Sequence, residues 1–241
     1  MNENPEYITA ELNILLNKGT IVDGLHFLAE RFPGQVVFST SFSIEDQVIT
    51  DLIFSNRIGI TLFTLDTGRL FAETYSVWSR TVEKYHAPIK AYFPDRDLLE
   101  SYLLKKGPNA FYESVENRKD CCHIRKVEPL RRALQGNRVW VTGLRAEHST
   151  GRNDLPMLEW DSANSVWKYH PLLHWRTEEV RAYIDSKNIP YNTLHDKGFA
   201  SIGCAPCTRA IKPGEDIRAG RWWWEEDGKK ECGLHVHPVA G

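Results

Sequence analysis

Apolar residues follow one another along this chain in two alternating rhythms. Short unbroken runs at Val36-Val37-Phe38, Ile60–Leu65, Ile89–Phe93 and Arg138–Thr142 read as strands, because a strand covered on both faces has no polar side to show. Between them, apolar positions recur every three or four residues, the spacing of a helix with one buried face. Helices are predicted over Tyr7–Asn17, Ile21–Phe32, Ile44 to about Ser55, from beyond Gly68 to about Tyr85, from near Asp95, and over Ile124–Leu134. Strands alternating with helices of this length imply βαβ units on a parallel sheet. From Leu158 the rhythm changes. Leu158–Trp160 and Val166–Tyr169 read as a short antiparallel hairpin, and Thr177–Ser186 as a helix with an acidic first turn. Past Pro190, glycine, proline and charge dominate. The expected fold class is α/β, a doubly wound and mostly parallel sheet with a C-terminal cysteine-bearing extension. Residues 1–210 read as the sheet domain and 211–241 as the extension.

Composition narrows the function classes. The 241 residues are 41% hydrophobic and 26% charged, the balance of a chain with a sizeable core. A net charge of −2 gives no field to draw the protein onto nucleic acid or an anionic membrane. An anionic ligand must therefore meet a local cluster of Arg and Lys. The opening residues show no basic segment followed by an apolar run, and no apolar stretch approaches bilayer length, so a cytoplasmic protein is expected. Oligomeric state stays open, a homo-oligomer included.

Three polar loops follow strands: Ser39–Ser43, Asp66–Arg69 and Gly143–Arg152. In open parallel sheets, ligands sit beyond the carboxyl ends of the strands. The first loop enters a helix, whose free N–H groups favour an anion, although Ser43 with Asp46 three residues on also makes an ordinary capping box. No Gly-x-x-x-x-Gly-Lys-Ser/Thr loop is present. Arg145 and Arg152, in the third loop, offer the fixed donors that suit phosphate or sulfate.

Five cysteines, an odd number in a reducing compartment, argue against a disulfide framework. Cys121-Cys122 and Cys204-x-x-Cys207 form two tight pairs, and Cys232 stands alone. Zinc sites ordinarily use two spaced pairs, whereas a cubane cluster offers a separate iron to each of two adjacent cysteines. A [4Fe–4S] cluster is the favoured reading, with zinc the alternative. Arg125, Lys126, Arg209 and Lys212 flank the pairs. If the segment is helical, Lys126 lies one turn after Cys122 on the same face.

The segments SFSIEDQ, LDTGRLFAETY, KDCCHIRKVEPL, VTGLRAEHSTGR, GCAPCTRAIKPGEDIRAGRWWW and the tail ECGLH make the chain, from about residue 35 onward, similar to the sulfonucleotide reductases. Within them it resembles the assimilatory adenylyl-sulfate (APS) reductases of the iron–sulfur type. The resemblance implies an adenine-nucleotide α-hydrolase-like fold and cluster ligation by Cys121, Cys122, Cys204 and Cys207. It makes Cys232 the nucleophile. It places Ser39, Ser41, Leu65, Thr142 and Gly143 in the substrate pocket, and Lys126, Arg152, Arg218 and Arg221 around the substrate's anionic groups. Reductases for the 3′-phosphorylated substrate (PAPS) mostly lack the cluster cysteines, so APS is the expected substrate. The chain departs from the family at Ser43-Ile44-Glu45-Asp46, where a smaller Ser-Gly-Ala-Glu-Asp turn is frequent. The expected chemistry is thiolate attack on the substrate's sulfur to give an S-sulfocysteine, then release of sulfite by an external thioredoxin or glutaredoxin. A PAPS reductase, an ATP pyrophosphatase-type enzyme and a zinc-bearing nucleotide-binding module are the alternatives. The polar stretch from Glu225 to Lys230 reads as a mobile stem for Cys232, with the Trp222-Trp223-Trp224 run either anchoring it or filling the core. His235 is placed to assist the thiol.

Overall fold

The computed structural model describes residues 5–16, 18–148 and 155–225. Its elements follow the alternation read from the sequence: α1 (Pro5–Leu16), α2 (Ile21–Arg31), β1 (Val36–Ser39), α3 (Ile44–Ser55), β2 (Thr61–Leu65), α4 (Ala72–Tyr85), β3 (Lys90–Tyr92) and α5 (Arg96–Lys106). Then come α6 (Val115–Cys122), a π-helical turn (His123–Val127), α7 (Glu128–Leu134), β4 (Val139–Val141), β5 (Leu158–Asp161), β6 (Val166–Tyr169) and α8 (Thr177–Ser186). The six strands form one sheet in the order β3-β2-β1-β4-β6-β5. β1 pairs in parallel with β2 and β4, and β4 with β6, while β5 and β6 run antiparallel. The expected hairpin is therefore present and extends the sheet. No helix among the described residues is long and apolar enough to cross a membrane.

The chain divides into two compact units that interleave along the sequence. The first comprises residues 1–64, 73–90 and 134–192. Its core gathers Phe38 of β1, Val139 and Val141 of β4, Trp167 and Tyr169 of β6, and apolar faces of α2, α3 and α8. α3 is buried almost throughout, polar residues included. Such burial is tolerated because most of these polar groups find partners, Gln47 Oε1 being one that has none among the described residues. Gln47 donates to Pro190 O (2.6 Å) and Thr81 Oγ1 (2.8 Å), and Asp51 accepts from Tyr85 and Tyr183 (both 2.8 Å).

The second unit comprises residues 65–72, 91–133 and those from Thr193 onward. Its smaller core is built from Tyr102, Phe111, Cys121, Cys204, Cys207 and Trp222. Both cysteine pairs and the described part of the C-terminal segment belong to this unit.

Candidate functional site

In the first unit, the carboxyl ends of β1 and β4 carry four of the residues assigned to a substrate pocket: Ser39, Ser41, Thr142 and Gly143. Ser39 Oγ accepts from Trp140 Nε1 (2.8 Å). The loop after β1 turns through Phe42, a buried residue with φ of 60°, a left-handed backbone that ordinarily favours glycine. Such strain persists where the surroundings over-determine it; here Phe42 stacks on Trp78 and its N–H donates to Thr40 Oγ1 (3.0 Å). Ser43 caps α3, its hydroxyl accepting from Asp46 N–H (3.2 Å). The Asp46 carboxylate does not close the capping box. It turns to Ser41, whose N–H (2.6 Å) and hydroxyl (2.7 Å) both donate to Oδ2. The donors expected to hold an external anion are thus taken by the protein's own carboxylate. Burial, the largest influence, pushes Asp46 up to about 6 against the lowering effect of Ser41.

Thr142 Oγ1 lies 2.7 Å from Nδ1 of the fully buried His170, whose Nε2 faces Glu159 at 3.4 Å. A carboxylate on Nε2 favours the proton there, which leaves Nδ1 as the acceptor of the Thr142 hydroxyl.

Arg145, expected to serve an external anion, is committed elsewhere. It is 1% exposed and donates to Glu45 (2.8 and 3.0 Å), Trp175 O (3.1 Å) and Thr177 Oγ1 (3.0 Å), and it pairs with Glu147. A buried guanidinium surrounded by acceptors ties β4's loop to the starts of α3 and α8. It is an internal strut.

In the second unit, four buried free thiols line one cleft: Cys121 and Cys122 at the end of α6, Cys204 and Cys207 across a 3₁₀ turn. The cleft holds about 350 Å³, partly open to solvent. Among the described residues, no three or more His, Cys, Asp or Glu side chains converge as ligands of one ion. Cations surround the thiols: Arg69, Arg118, Arg125 and Lys126 line the cleft. Burial pushes the Cys207 thiol up to about 12 and raises Cys121. Cys204 goes the other way. Burial raises it, yet Lys126, the Thr67 hydroxyl at 3.3 Å, Arg221 and Arg125 together hold it below the usual thiol value.

Three buried N–H groups of this unit, Arg125 Nε, Arg221 Nε and Trp222 Nε1, have no acceptor among the described residues. Buried donors are seldom left so unless a further group accepts from them. Gly203 makes room for Arg221, since a Cβ there would lie 2.4 Å from its Nη2. Trp222 has a left-handed φ of 43° and sits under the guanidinium groups of Arg118 and Arg221, 4.7 and 4.8 Å from its ring centroid. Arg118 Nε donates to Glu225 Oε1 at 2.6 Å. Glu225, read as the start of a mobile stretch, is therefore held in place, and Trp222 is a core residue.

Of the expected site residues, Ser39, Ser41, Thr142 and Gly143 fall in the first unit; Leu65, the four paired cysteines, Lys126, Arg218 and Arg221 fall in the second. The four thiols and Lys126 line one cleft, and Arg221 lies close enough to Cys204 to help lower its thiol. Arg209 is spent on Glu215 (2.9 Å). Arg152, Cys232, His235 and the rest of the tail lie outside the described residues. Sequence reading missed the roles of Asp46, His170, Glu45 and Arg118. Only Asp46 had a visible signal, its spacing from Ser43, and that spacing is also the mark of a plain helix cap.

Comparison with known proteins comes to the same place. Residues 35–210 match the phosphoadenosine phosphosulfate reductase domain family. An adenosine 5′-phosphosulfate reductase of Agrobacterium fabrum is 49% identical over 228 residues, 95% of this chain and 87% of the relative. The protein of that name from Allochromatium vinosum is 52% identical over 85% of this chain and 80% of its own length. Among solved structures, phosphoadenylyl-sulfate (PAPS) reductase from Candida auris, a phosphate complex, superposes with a TM-score of 0.73 at 26% identity, covering 88% of this chain and 99% of that one. Candida glabrata FMN adenylyltransferase, at 17% identity and a TM-score of 0.55, shares the fold alone.

Proposed function

The chain belongs to the phosphoadenosine phosphosulfate reductase domain family, and from that membership we propose that it reduces adenylyl sulfate to sulfite and AMP in the cytoplasm, as a step of sulfate assimilation. The observation that carries the substrate is identity near 50%, over most of both chains, to proteins named adenosine 5′-phosphosulfate reductase.

Cys232 is the nucleophile in this reading. Its thiolate attacks the sulfur of APS, an S–S bond forms, the S–O bond to the phosphate breaks, and AMP leaves with the electron pair. A thiolate of thioredoxin or glutaredoxin then attacks Cys232 Sγ, and sulfite departs with the electrons of the S–S bond. The reductant's second thiol resolves the mixed disulfide, so one dithiol is oxidised for each sulfite released. Ser39, Ser41, Leu65, Thr142 and Gly143 hold the nucleotide. Lys126, Arg152, Arg218 and Arg221 offset the charge of the sulfate and phosphate, which would otherwise repel an anionic nucleophile.

Cys121, Cys122, Cys204 and Cys207 would hold a [4Fe–4S] cluster. Four buried thiols on one cleft, ringed by cations and by N–H donors without acceptors, suit a group that bears anionic sulfur. When bound, such a cluster supplies a structural tie and a fixed negative field; the displacement and exchange steps need no single-electron donor.

A second reading, the same reaction on the 3′-phosphorylated substrate, is favoured by the Candida auris PAPS reductase structure. Anaerobic sulfite release, assayed in parallel with APS and PAPS in the presence of thioredoxin and a dithiol, separates the two. Sulfite from APS at much the higher kcat/KM is expected. The reverse preference, or no sulfite from either, would overturn the proposal.

A further inference from the structure

We propose that His170 is a positioning residue for the nucleotide: its Nδ1 accepts the hydrogen bond of the Thr142 hydroxyl and so holds the backbone at the end of β4 in the shape that meets the ligand. This rests on the nucleotide-binding reading of that sheet edge. It goes beyond that reading in giving Thr142 a main-chain part and His170 the task of fixing it.

Thr142 and His170 follow the ends of two adjacent parallel strands, β4 and β6. Thr142 N–H donates to Tyr169 O at 2.9 Å, which ties the two ends together. The backbone of His170 is held on both sides: its N–H donates to Met157 O (2.8 Å), and its carbonyl accepts from Leu173 N–H (3.1 Å). The ring, fully buried, therefore has a fixed place at the sheet edge. Nδ1 lies 2.7 Å from Thr142 Oγ1, and Nε2 faces Glu159 at 3.4 Å. Glu159 also faces Lys168 Nζ at 3.9 Å, while Lys168 pairs more closely with Asp161 at 2.9 Å. With a carboxylate on Nε2, the ring keeps its proton there and offers Nδ1 as an acceptor.

That acceptor decides how Thr142 is used. A hydroxyl has one hydrogen to donate. Once it is given to His170, the oxygen's lone pairs are left to accept, and Leu144 N–H approaches Oγ1 to 3.4 Å. Thr142 is 2% exposed, so its side chain is spent inside the protein, folding the chain back over Gly143. The polar groups that the end of β4 can present to a ligand are then those of the backbone. There is little slack in that backbone, since a Cβ on Gly143 would lie 2.1 Å from Asp46 Oδ1. An apolar side chain in place of His170 would leave the Thr142 hydroxyl to seek another acceptor and would loosen the turn. A binding group whose supporting residues are loosened loses affinity even though nothing that touches the ligand has changed.

The test uses the anaerobically purified protein and titration with AMP, each variant confirmed folded by circular dichroism. His170→Asn keeps an acceptor near the position of Nδ1 but leaves a void; His170→Phe fills the space and removes the acceptor. AMP affinity should stay within about three-fold of wild type in His170→Asn and fall about ten-fold or more in His170→Phe, the scale of one buried hydrogen bond left unmade. That order should hold even if His170→Phe is the more resistant to denaturant. Thr142→Val should weaken AMP about as much as His170→Phe, and the double variant no more than either alone, because both remove the same bond. Affinity that follows side-chain volume, with His170→Asn the weaker binder, would overturn the proposal, as would additive losses in the double variant. A long-range proton–nitrogen spectrum of histidine-labelled wild type should show the His170 ring protonated at Nε2 alone. A proton on Nδ1 would overturn the proposal with no variant needed. If the wild type binds no AMP, the nucleotide-binding reading falls together with this one; AMP binding indifferent to His170→Phe removes only the role of His170.

Discussion

Arg118 grips Glu225 with two parallel hydrogen bonds, Nε to Oε1 at 2.6 Å and Nη2 to Oε2 at 3.1 Å, and both side chains are withdrawn from solvent. The pair joins α6, the helix that ends in Cys121 and Cys122, to the last described residue of the C-terminal segment. Forked geometry of this kind fixes orientation as well as contributing energy. Removing one partner leaves the other charged and buried, which costs about 3–5 kcal/mol. Glu225→Ala is expected to lower stability by that order in denaturant unfolding. Loss below about 1 kcal/mol would show that water reaches Arg118 and that the pair is incidental.

A parallel expectation concerns Arg145. Because its donors are spent on Glu45, Glu147, Trp175 and Thr177, Arg145→Ala should act on folding, again by about 3–5 kcal/mol. The Michaelis constant of the folded fraction should hardly move. A stable variant with a greatly raised KM would return Arg145 to the role of an anion ligand.

Asp46 carries a pH signature of known sign. Its carboxyl is raised from 3.8 to about 6 in the folded protein, chiefly by burial. A raised value means that its contribution to stability is complete below about pH 3.8 and is lost as pH climbs through about 6. At pH 7.5 the ionised group therefore costs on the order of 3 kcal/mol at most, by 1.4 kcal/mol per unit. Asp46→Asn should be more stable than the wild type at pH 7.5, and its advantage should shrink towards pH 4. Denaturant midpoints across that range would show it. An advantage that does not vary with pH would mean that Asp46 does not titrate as described.

Substituting serine at Cys121, Cys122, Cys204 or Cys207 is expected to remove iron, visible absorbance and sulfite release together. The thiolates are the ligands proposed, and ligation also closes a loop between distant segments. Iron analysis and a visible spectrum of each purified variant are sufficient. A colourless, zinc-containing wild type, or a fully active variant without iron, would defeat the cluster reading.

The alternation of strands and helices was plain in the sequence because parallel strands buried on both faces read as unbroken apolar runs such as Val36-Val37-Phe38. The paired cysteines were equally legible, since few other arrangements place four of five thiols in two tight pairs. What escaped notice was burial of polar residues. α3 has Glu45, Asp46, Gln47, Thr50 and Asp51 in its sequence, and nothing in their spacing shows that all five are enclosed. Their partners, Arg145, Ser41, Pro190, Tyr85 and Tyr183, are mostly remote in the chain, and no local pattern reports a contact of that kind. The same holds for Arg118, which reads as a solvated residue of a polar helix until its partner Glu225, 107 positions away, is known.

The π-helical turn at His123–Val127, where Glu128 N–H reaches back to His123 O, takes up one residue beyond the regular helical count. Each residue of an α-helix advances about 100° around the axis, and the wide turn spreads its extra residue over one circuit, so the helical segments before and after it keep their phase. Deleting one residue between 123 and 127 would let the helix close in regular register and leave α7 facing as before, while Arg125 and Lys126, which lie inside the wide turn, would be re-aimed. For anyone aligning or redesigning relatives of this chain, a one-residue gap here is a change in the aim of two cations beside the thiols, made with little disturbance to the helices on either side.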